Sequence, residues 1–379
     1  MSKVTELLYS PALRMKTGEL NGVSKLAPDV ADHILPRFIV PPSGKRDDAA
    51  PLLMDLDRMP DISVPLAGAW QHRPALIDAS YVLSEFGGDQ VMRWLPEMFR
   101  RARAKEVMAI PAAYLEDIEH YADAYKASID KSAPIKFGVI VTSDEISEVG
   151  LSIRTRSLLE RLDISASDSV VVVDFANVEF SEPEIVAPII GFSLETLQEV
   201  GLWQKIIFQG SHYPDKNPAP REGGFEVVAR NEWVAWRLAV KFDPNTADHM
   251  VFGDYAADCS KIEFGDGGGK PICHVRFTIG ENWRVERGPV GDKDRESMHK
   301  VYNAIVQNVD FPGADFSQAD AYIATAAFDL AAPHGNGTTW RQLNTTHHIT
   351  QIVRDIAKVR GINIKPFPAS KPAKTETLF

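Results

Sequence analysis

"SVVVVDFANV", residues 169–178, decides the fold. Four consecutive valines with no polar alternation describe a strand covered on both faces, and Asp174 ends the run where a turn must begin. KIIFQGSHYP (205–214) repeats the pattern, and FSLETLQEVGLWQK (192–205) between the two reads as an amphipathic helix. Strand, helix, strand is the grammar of a parallel sheet, because parallel neighbours need a crossover of a dozen or so residues.

Working outward, the same short apolar runs recur. LLYSPALR (7–14), RFIVPP (37–42), PALIDAS (74–80), VMAIPAA (107–113), KFGVIVTS (136–143), GLSIRTR (150–156) and HMVFGDYA (249–256) join the two above. DQVMRWLPEMFRRARA (89–104) and AAYLEDIEHYADAYKAS (112–128) have helical apolar spacing. About eight such units in roughly 250 residues predict an α/β fold of the (β/α)8 TIM-barrel type. The runs number one too many, however. KFGVIVTS and GLSIRTR stand too close for a helical crossover, so one of them is a hairpin extra or a continuation of the other.

After Tyr255 the grammar changes. PICHVRFTI (271–279) and NWRVERG (282–288) alternate like a solvent-facing β-hairpin, and GDGGGK (265–270) before them is a turn. It lacks the GxxxxGK[ST] spacing of a phosphate cradle. Helices are expected at about 292–309, 316–330 and 344–360. The organisation predicted is a barrel over 1–258, a hairpin with a helical cap packed on it over 259–362, and a disordered Pro- and Lys-rich tail over 363–379. GKRDDAAP (44–51) and SHYPDKNPAPREGG (211–224) read as long loops.

Composition narrows the function classes. The 379 residues carry a formal net charge of −11, which disfavours direct binding of nucleic acid or anionic lipid and leaves any anionic ligand needing a local basic pocket. Cys259 and Cys273 form no CxxC motif, so neither a disulfide framework nor a zinc knuckle is indicated. No apolar run reaches membrane-spanning length, and the expected setting is the cytoplasm.

Several of these stretches, in this order, resemble a known family. They are KTGEL (16–20), PRFIVPP (36–42), GLSIRTR, VVVDFA (171–176), RNEWVAW (230–236), FGDYA (252–256), RFTIGENWRVERG (276–288) and GNGTTWRQLNTTHHIT (335–350). The chain is similar over about residues 8–356 to the beta family proteins, named for the beta protein of T-even bacteriophages. The resemblance implies a barrel-like α/β fold and a phage–host setting, and it implies no established reaction. One departure stands out: the second strand carries Arg37, Ile39 and Val40 where the family pattern leads one to expect an acid.

In such barrels, chemistry sits at the carboxyl ends of the strands. Those positions hold Lys16, Glu19, Asp78, Arg154 with Arg156, Asp174, His212, and Asp254 with Tyr255. Asp78, Asp174 and Asp254 together would suit a hard cation, Mg²⁺ or Mn²⁺, while Lys16, Arg154, Arg230 and His212 would clamp a phosphate or carboxylate. Each also has an ordinary structural reading: Asp174 as a helix cap or a partner for Arg154, Gly253-Asp254 as turn chemistry, and the cations as partners of the aspartates. Trp233 and Trp236, three apart, read as core.

His347 and His348 begin an amphipathic helix in which Thr345 or Thr346 would cap. Adjacent helical residues diverge by about 100°, so the pair cannot readily share a metal. His348 flanks the buried face and is the candidate acid or base, whereas His347 should project away. Trp340 and Arg341 would lie over the same mouth. The function expected is binding of a phosphorylated or anionic small molecule such as a nucleotide in a phage–host conflict, with metal-assisted hydrolysis of that ligand as the reaction if the protein is an enzyme. Asp174 and Asp254 would then be ligands or base, and Glu19 and Tyr255 would help bind. The alternative is a non-catalytic scaffold or sensor for a protein partner, with homo-oligomers admissible.

Overall fold

A computed structural model describes residues 6–42, 52–53, 56–261, 271–291 and 293–367. In chain order its strands are β1 (Ala12–Arg14), β2 (Arg37–Ile39), β3 (Leu52–Leu53), β4 (Leu56–Pro60), β5 (Pro74–Asp78), β6 (Met108–Tyr114) and β7 (Phe137–Thr142). They continue with β8 (Ser169–Asp174), β9 (Lys205–Gln209), β10 (Gly224–Ala229), β11 (Met250–Val251), β12 (His274–Ile279) and β13 (Asn282–Arg287). The helices are α1 (Thr17–Ser24), α2 (Pro28–Ala31), α3 (Ser63–Trp70), α4 (Ser80–Phe86), α5 (Val91–Ala104), α6 (Leu115–Ser128), α7 (Leu151–Arg161) and α8 (Pro183–Gln198). α9 (Asn231–Phe242), α10 (Asn245–His249), α11 (Asp294–Val306), α12 (Gln318–Phe328) and α13 (Gly337–Arg360) complete the set.

Eight strands form one parallel sheet in the order β1-β2-β5-β6-β7-β8-β9-β11, wrapped by helices. The four valines of β8 are completely buried, one face on the lumen and the other on the helix layer. Each buried valine contributes about 1.5–3 kcal/mol of burial free energy. The sheet curls into a half-barrel without closing as a ladder. Its end strands, only three and two residues long, meet at a single Tyr9–Phe252 bridge and at Ser10 N–H to Phe252 O (3.0 Å) and Ala12 N–H to Asp254 O (2.8 Å).

The ninth run is resolved by GLSIRTR, which is helix, not strand. Leu151, Thr155 and Leu158 are its buried positions, a spacing of four and three that only a helix places on one face. α8 also begins well before the expected 192, at Pro183, whose fixed φ suits a first helical position. α13 starts at Gly337, not 344, because the Asn336 side chain caps it by accepting from Thr339 N (3.1 Å). Thr345 and Thr346 are therefore mid-helix and buried, and Thr346 Oγ1 donates to Gly22 O (2.8 Å).

The expected hairpin is β12–β13, turning at Gly280 with φ +52°, and β10 joins it to make a three-stranded antiparallel sheet. That pairing crosses the boundary drawn at 258/259, and α13, within the second segment, packs on both sides of it. Trp340 and Leu343 pack in the cap core with α11 and α12, and Ile349, Ile352, Val353 and Ile356 pack in the main core. Of the segment read as a tail, residues 363–367 are placed: Lys365 N–H donates to Asp29 and Phe367 N–H to Asp315 O (3.0 Å). Residues 368–379 lie outside the described residues, as do GKRDDAAP and GDGGGK. No described helix is long and apolar enough to cross a membrane.

Candidate functional site

Strand alternation divides the eight-stranded sheet into an inner and an outer face. The amino-terminal part of the lumen is apolar, lined by Leu35, Leu76, Ile110, Ile140, Val172 and Ile207 among others. Two residues further along, the inward positions become Arg37, Asp78, Tyr114, Asp174 and Gln209. Arg37, completely buried, uses all five of its N–H donors. Nε and Nη2 reach Asp78 Oδ2 (3.1 and 2.6 Å), Nη1 reaches Asp174 Oδ2 (2.8 Å) and Gln209 Oε1 (2.6 Å), and Nη2 also reaches the Tyr114 hydroxyl (2.7 Å). Burial opposes its charge, but Tyr114, Asp78 and Asp174 more than compensate and push its pKa well above the ordinary value.

Asp174 is equally occupied. Tyr255 OH (2.7 Å) and Ala176 N–H (3.0 Å) donate to Oδ1, while Arg37 and Tyr114 OH (3.0 Å) donate to Oδ2. Asp78 accepts from Arg37 on one oxygen and from Ser80 N–H on the other. The two carboxylates expected to hold a cation therefore share a guanidinium.

Asp254 is not with them. It is one residue from Tyr255 and so faces the opposite side of the strand end, toward α13. There Oδ1 accepts from Tyr9 OH and Ala256 N–H (2.8 Å), and Oδ2 accepts from His348 Nε2 (2.8 Å). His348 Nδ1 meets Thr278 Oγ1 at 2.7 Å. Burial pulls the His348 pKa below its usual value, against the pull of Asp254, so a neutral ring donates from Nε2 and accepts the threonine hydroxyl at Nδ1. The three-aspartate cation site is thus not assembled, and among the described residues no cluster of three or more His, Cys, Asp or Glu is placed to bind a metal. His347, expected to project away, is buried in the cap. It bonds Asp320 (3.0 Å) and Thr278 O (2.9 Å) and stacks on Phe277 at 3.8 Å.

The remaining candidates disperse. Arg154 sits in the first turn of α7 against Glu119 (2.7 Å), Glu145 (3.2 Å) and Glu148 (3.3 Å). Arg156, on the same helix, bonds Ser152. Trp340 lies in the cap core with Nε1 on His334 O, not over the sheet. Arg230 is buried between Trp233 and Trp283, and His212 is half-buried with its pKa lowered by burial. Lys16 precedes α1 as its N-cap residue.

A different cluster forms where Glu19 and Arg341 lie. Arg14, at the carboxyl end of β1, Arg276 from β12 and Arg341 from the first turns of α13 all donate to one carboxylate, Asp258. Arg14 also holds Glu19 through Nε (2.9 Å) and Nη2 (2.7 Å). Burial would raise the Asp258 pKa, but Arg14, Arg276 and Arg341 hold it well below the carboxylate range. Three guanidiniums against two carboxylates leave a positive excess in a chain of net charge −11.

The cluster's edges are unfinished. Among the described residues, Arg276 Nε, the Tyr213 hydroxyl, His274 Nε2 and Glu19 Oε2 are buried and find no hydrogen-bond partner. Arg276 lies 4.4 Å from the Tyr213 ring, and burial plus the Arg276 charge push His274 down to about 3. Buried polar atoms are nearly always paired, so these orphans set the cluster apart, as do those of Arg230, Glu232, Trp236 and Trp283 beside α9.

Local backbone serves this arrangement. Ala256 and Ala257 both adopt left-handed φ, +49° and +61°, a conformation costing an alanine about 1–2 kcal/mol. That turn sends Asp254, Tyr255 and Asp258 into three separate networks. Gly18 lets α1 approach α13: a Cβ there would sit 2.8 Å from Arg341 Cβ and Cγ, so the glycine positions that arginine. Sequence reasoning missed Arg14, Asp258 and Arg276, and the one available signal was the alternation of HVRFTI, which sets Arg276 on the face opposite Val275 and Phe277.

A family model described as Beta protein matches residues 9–354 of this chain. No curated protein matches it.

Proposed function

The chain belongs to the Beta protein family, and on that footing we propose that it binds an anionic small molecule at the Arg14–Arg276–Arg341 cluster. The curled sheet would work as a (β/α)8 barrel does, with its ligand at the carboxyl ends of the strands. The observation that carries this reading is the convergence of three arginines from three elements on Asp258, fringed by unpaired donors. Guanidiniums are suited to phosphate and carboxylate because their planar fork bonds both oxygens at once.

The orphans refine the ligand class. Arg276 Nε and Tyr213 OH need an acceptor, and Glu19 Oε2 needs a donor. A sugar phosphate or nucleotide, with an anionic group beside a hydroxyl, satisfies both. Binding without hydrolysis is the function favoured. Asp174 has every contact direction occupied, and Asp254 faces α13, so neither carboxylate is left to bind a cation or take a proton from water. The phage–host setting rests on the family's namesake in T-even bacteriophages.

The test is a thermal-shift comparison of wild type, Arg341→Gln and Arg276→Gln in pyrophosphate, ribose 5-phosphate, ATP and ionic-strength-matched NaCl. One of the phosphates should raise the wild-type Tm with the logarithm of its concentration, by about 3 °C near 100 times Kd, and neither variant should respond. Equal effects of phosphate and NaCl on the wild type would overturn the proposal.

A further inference from the structure

α8 turns an apolar stripe toward solvent. Ile185, Ile189 and Phe192, spaced i, i+4, i+7, are 60%, 39% and 50% exposed, and Pro188 is exposed between them. The opposite face of the helix, Val186, Ile190, Leu194 and Leu197, already packs on the main core. A helix apolar on both faces is expected only where both faces are covered. Beside the stripe runs a groove of about 710 Å³ between α8 and the α9–α10 corner, lined by Pro188, Gly191 and Leu194 on one wall and by Phe242, Thr246 and His249 on the other. Phe242 is itself 67% exposed.

Along its own segment the stripe is flanked by acid alone, while the facing wall of the groove carries Asp243 and His249. No Lys, Arg or His occurs between Arg161 and Lys205. Asp163, Asp168 and Asp174 in that interval are paired with Lys131, Lys136 and Arg37. Glu182, Glu184, Glu195 and Glu199, at and beyond the two ends of α8, are exposed and have no cationic partner among the described residues. A second copy of this chain would fit poorly, since antiparallel pairing of α8 with itself would bring Glu184 against Glu195.

We propose that the α8 stripe and its groove dock an amphipathic helix of a partner protein, with apolar anchors at i, i+3 or i+4 and i+7 and lysine or arginine on both flanks. This surface belongs to the helix layer, built from residues other than those of the arginine cluster. Apolar anchors provide the affinity, and the flanking glutamates select a basic partner and speed encounter, an effect that weakens with salt.

The probe is a fluorescein-labelled 18-residue helical peptide with leucine at i, i+3, i+4 and i+7 and lysine on the flanks, against the same leucines flanked by glutamate. Anisotropy should give micromolar binding of the lysine peptide only. Ile189→Asp and Phe192→Asp should weaken it at least tenfold, while Phe328→Asp, at an exposed phenylalanine on α12, should leave it unchanged. Circular dichroism melts confirm that each variant folds. Equal binding of the two peptides, or unchanged affinity in Ile189→Asp and Phe192→Asp, would overturn the proposal. So would a dimer in sedimentation that Ile189→Asp dissociates, which would make the second copy the occupant.

Discussion

Replacing Arg37 by methionine tests whether the lumen network is structural. The variant keeps an unbranched side chain of similar length but removes five hydrogen bonds to four side chains, two of them the carboxylates of Asp78 and Asp174. Breaking a buried ion pair by removing one partner costs about 3–5 kcal/mol, because the other charge stays buried and unpaired. Here two carboxylates lose the same cation, which places the expected loss at the upper end, about 5 kcal/mol. With an unfolding entropy of about 2.1 cal/mol/K per residue, that corresponds to a Tm lowered by roughly 6 °C. The assay is urea unfolding, with the midpoint falling and the slope unchanged. Adding Asp78→Asn and Asp174→Asn to Arg37→Met should recover more than half of the loss, since it removes the stranded charges. Pyrophosphate affinity should stay near wild type in every variant that folds. A loss below about 1 kcal/mol for Arg37→Met, or a triple variant less stable than the single one, would refute the reasoning.

Three further outcomes follow from the same geometry. Burial pushes the Glu232 pKa up to about 8 despite Arg230, so the folded chain retains a proton that the unfolded chain has released. Stability should therefore fall as pH rises from about 4.5 to 8, and Glu232→Gln should flatten that fall in a series of melts. Thr278→Val removes the hydroxyl that faces His348 Nδ1 and should cost about 1–3 kcal/mol, while Thr278→Ser should cost far less, both read from urea midpoints. Gly18→Ala forces a Cβ against Arg341 and should cost about 1–3 kcal/mol and weaken pyrophosphate binding, measurable by calorimetry.

The sheet was legible because continuous apolar runs such as VVVVD can be satisfied only by a strand covered on both sides. The same property hid the orientation of its aspartates. A strand without alternation carries no mark of which residues face the lumen, so Asp174 and Asp254 looked equivalent although they face opposite ways. GLSIRTR misled for a related reason: its two apolar side chains, Leu151 and Ile153, are spaced as in a strand, and only the continuation to Leu158 and Leu159 identifies the helix. The angle between His347 and His348 was readable from helix geometry, but their partners, Asp320 and Asp254, come from elements remote in sequence. Arg14, Asp258, Arg276 and Arg341 share no local pattern. Only the fold of the cap over the sheet brings them together, which is why Arg341 alone was anticipated.

The central claim is that the arginine cluster is a ligand site, and its most direct test is an arginine side-chain NMR titration. In protein labelled with ¹⁵N-arginine, the Nε–H signal of Arg276 is the one absent from Arg276→Lys. Nε of Arg276 is buried with no partner among the described residues, which makes it the atom expected to report a ligand there. The account predicts that pyrophosphate or ribose 5-phosphate shifts this signal saturably, together with those of Arg14 and Arg341, while the Arg37 signal stays in place. If the three cluster signals stay fixed while Arg37 or surface arginines move, the cluster is structural and the ligand lies elsewhere.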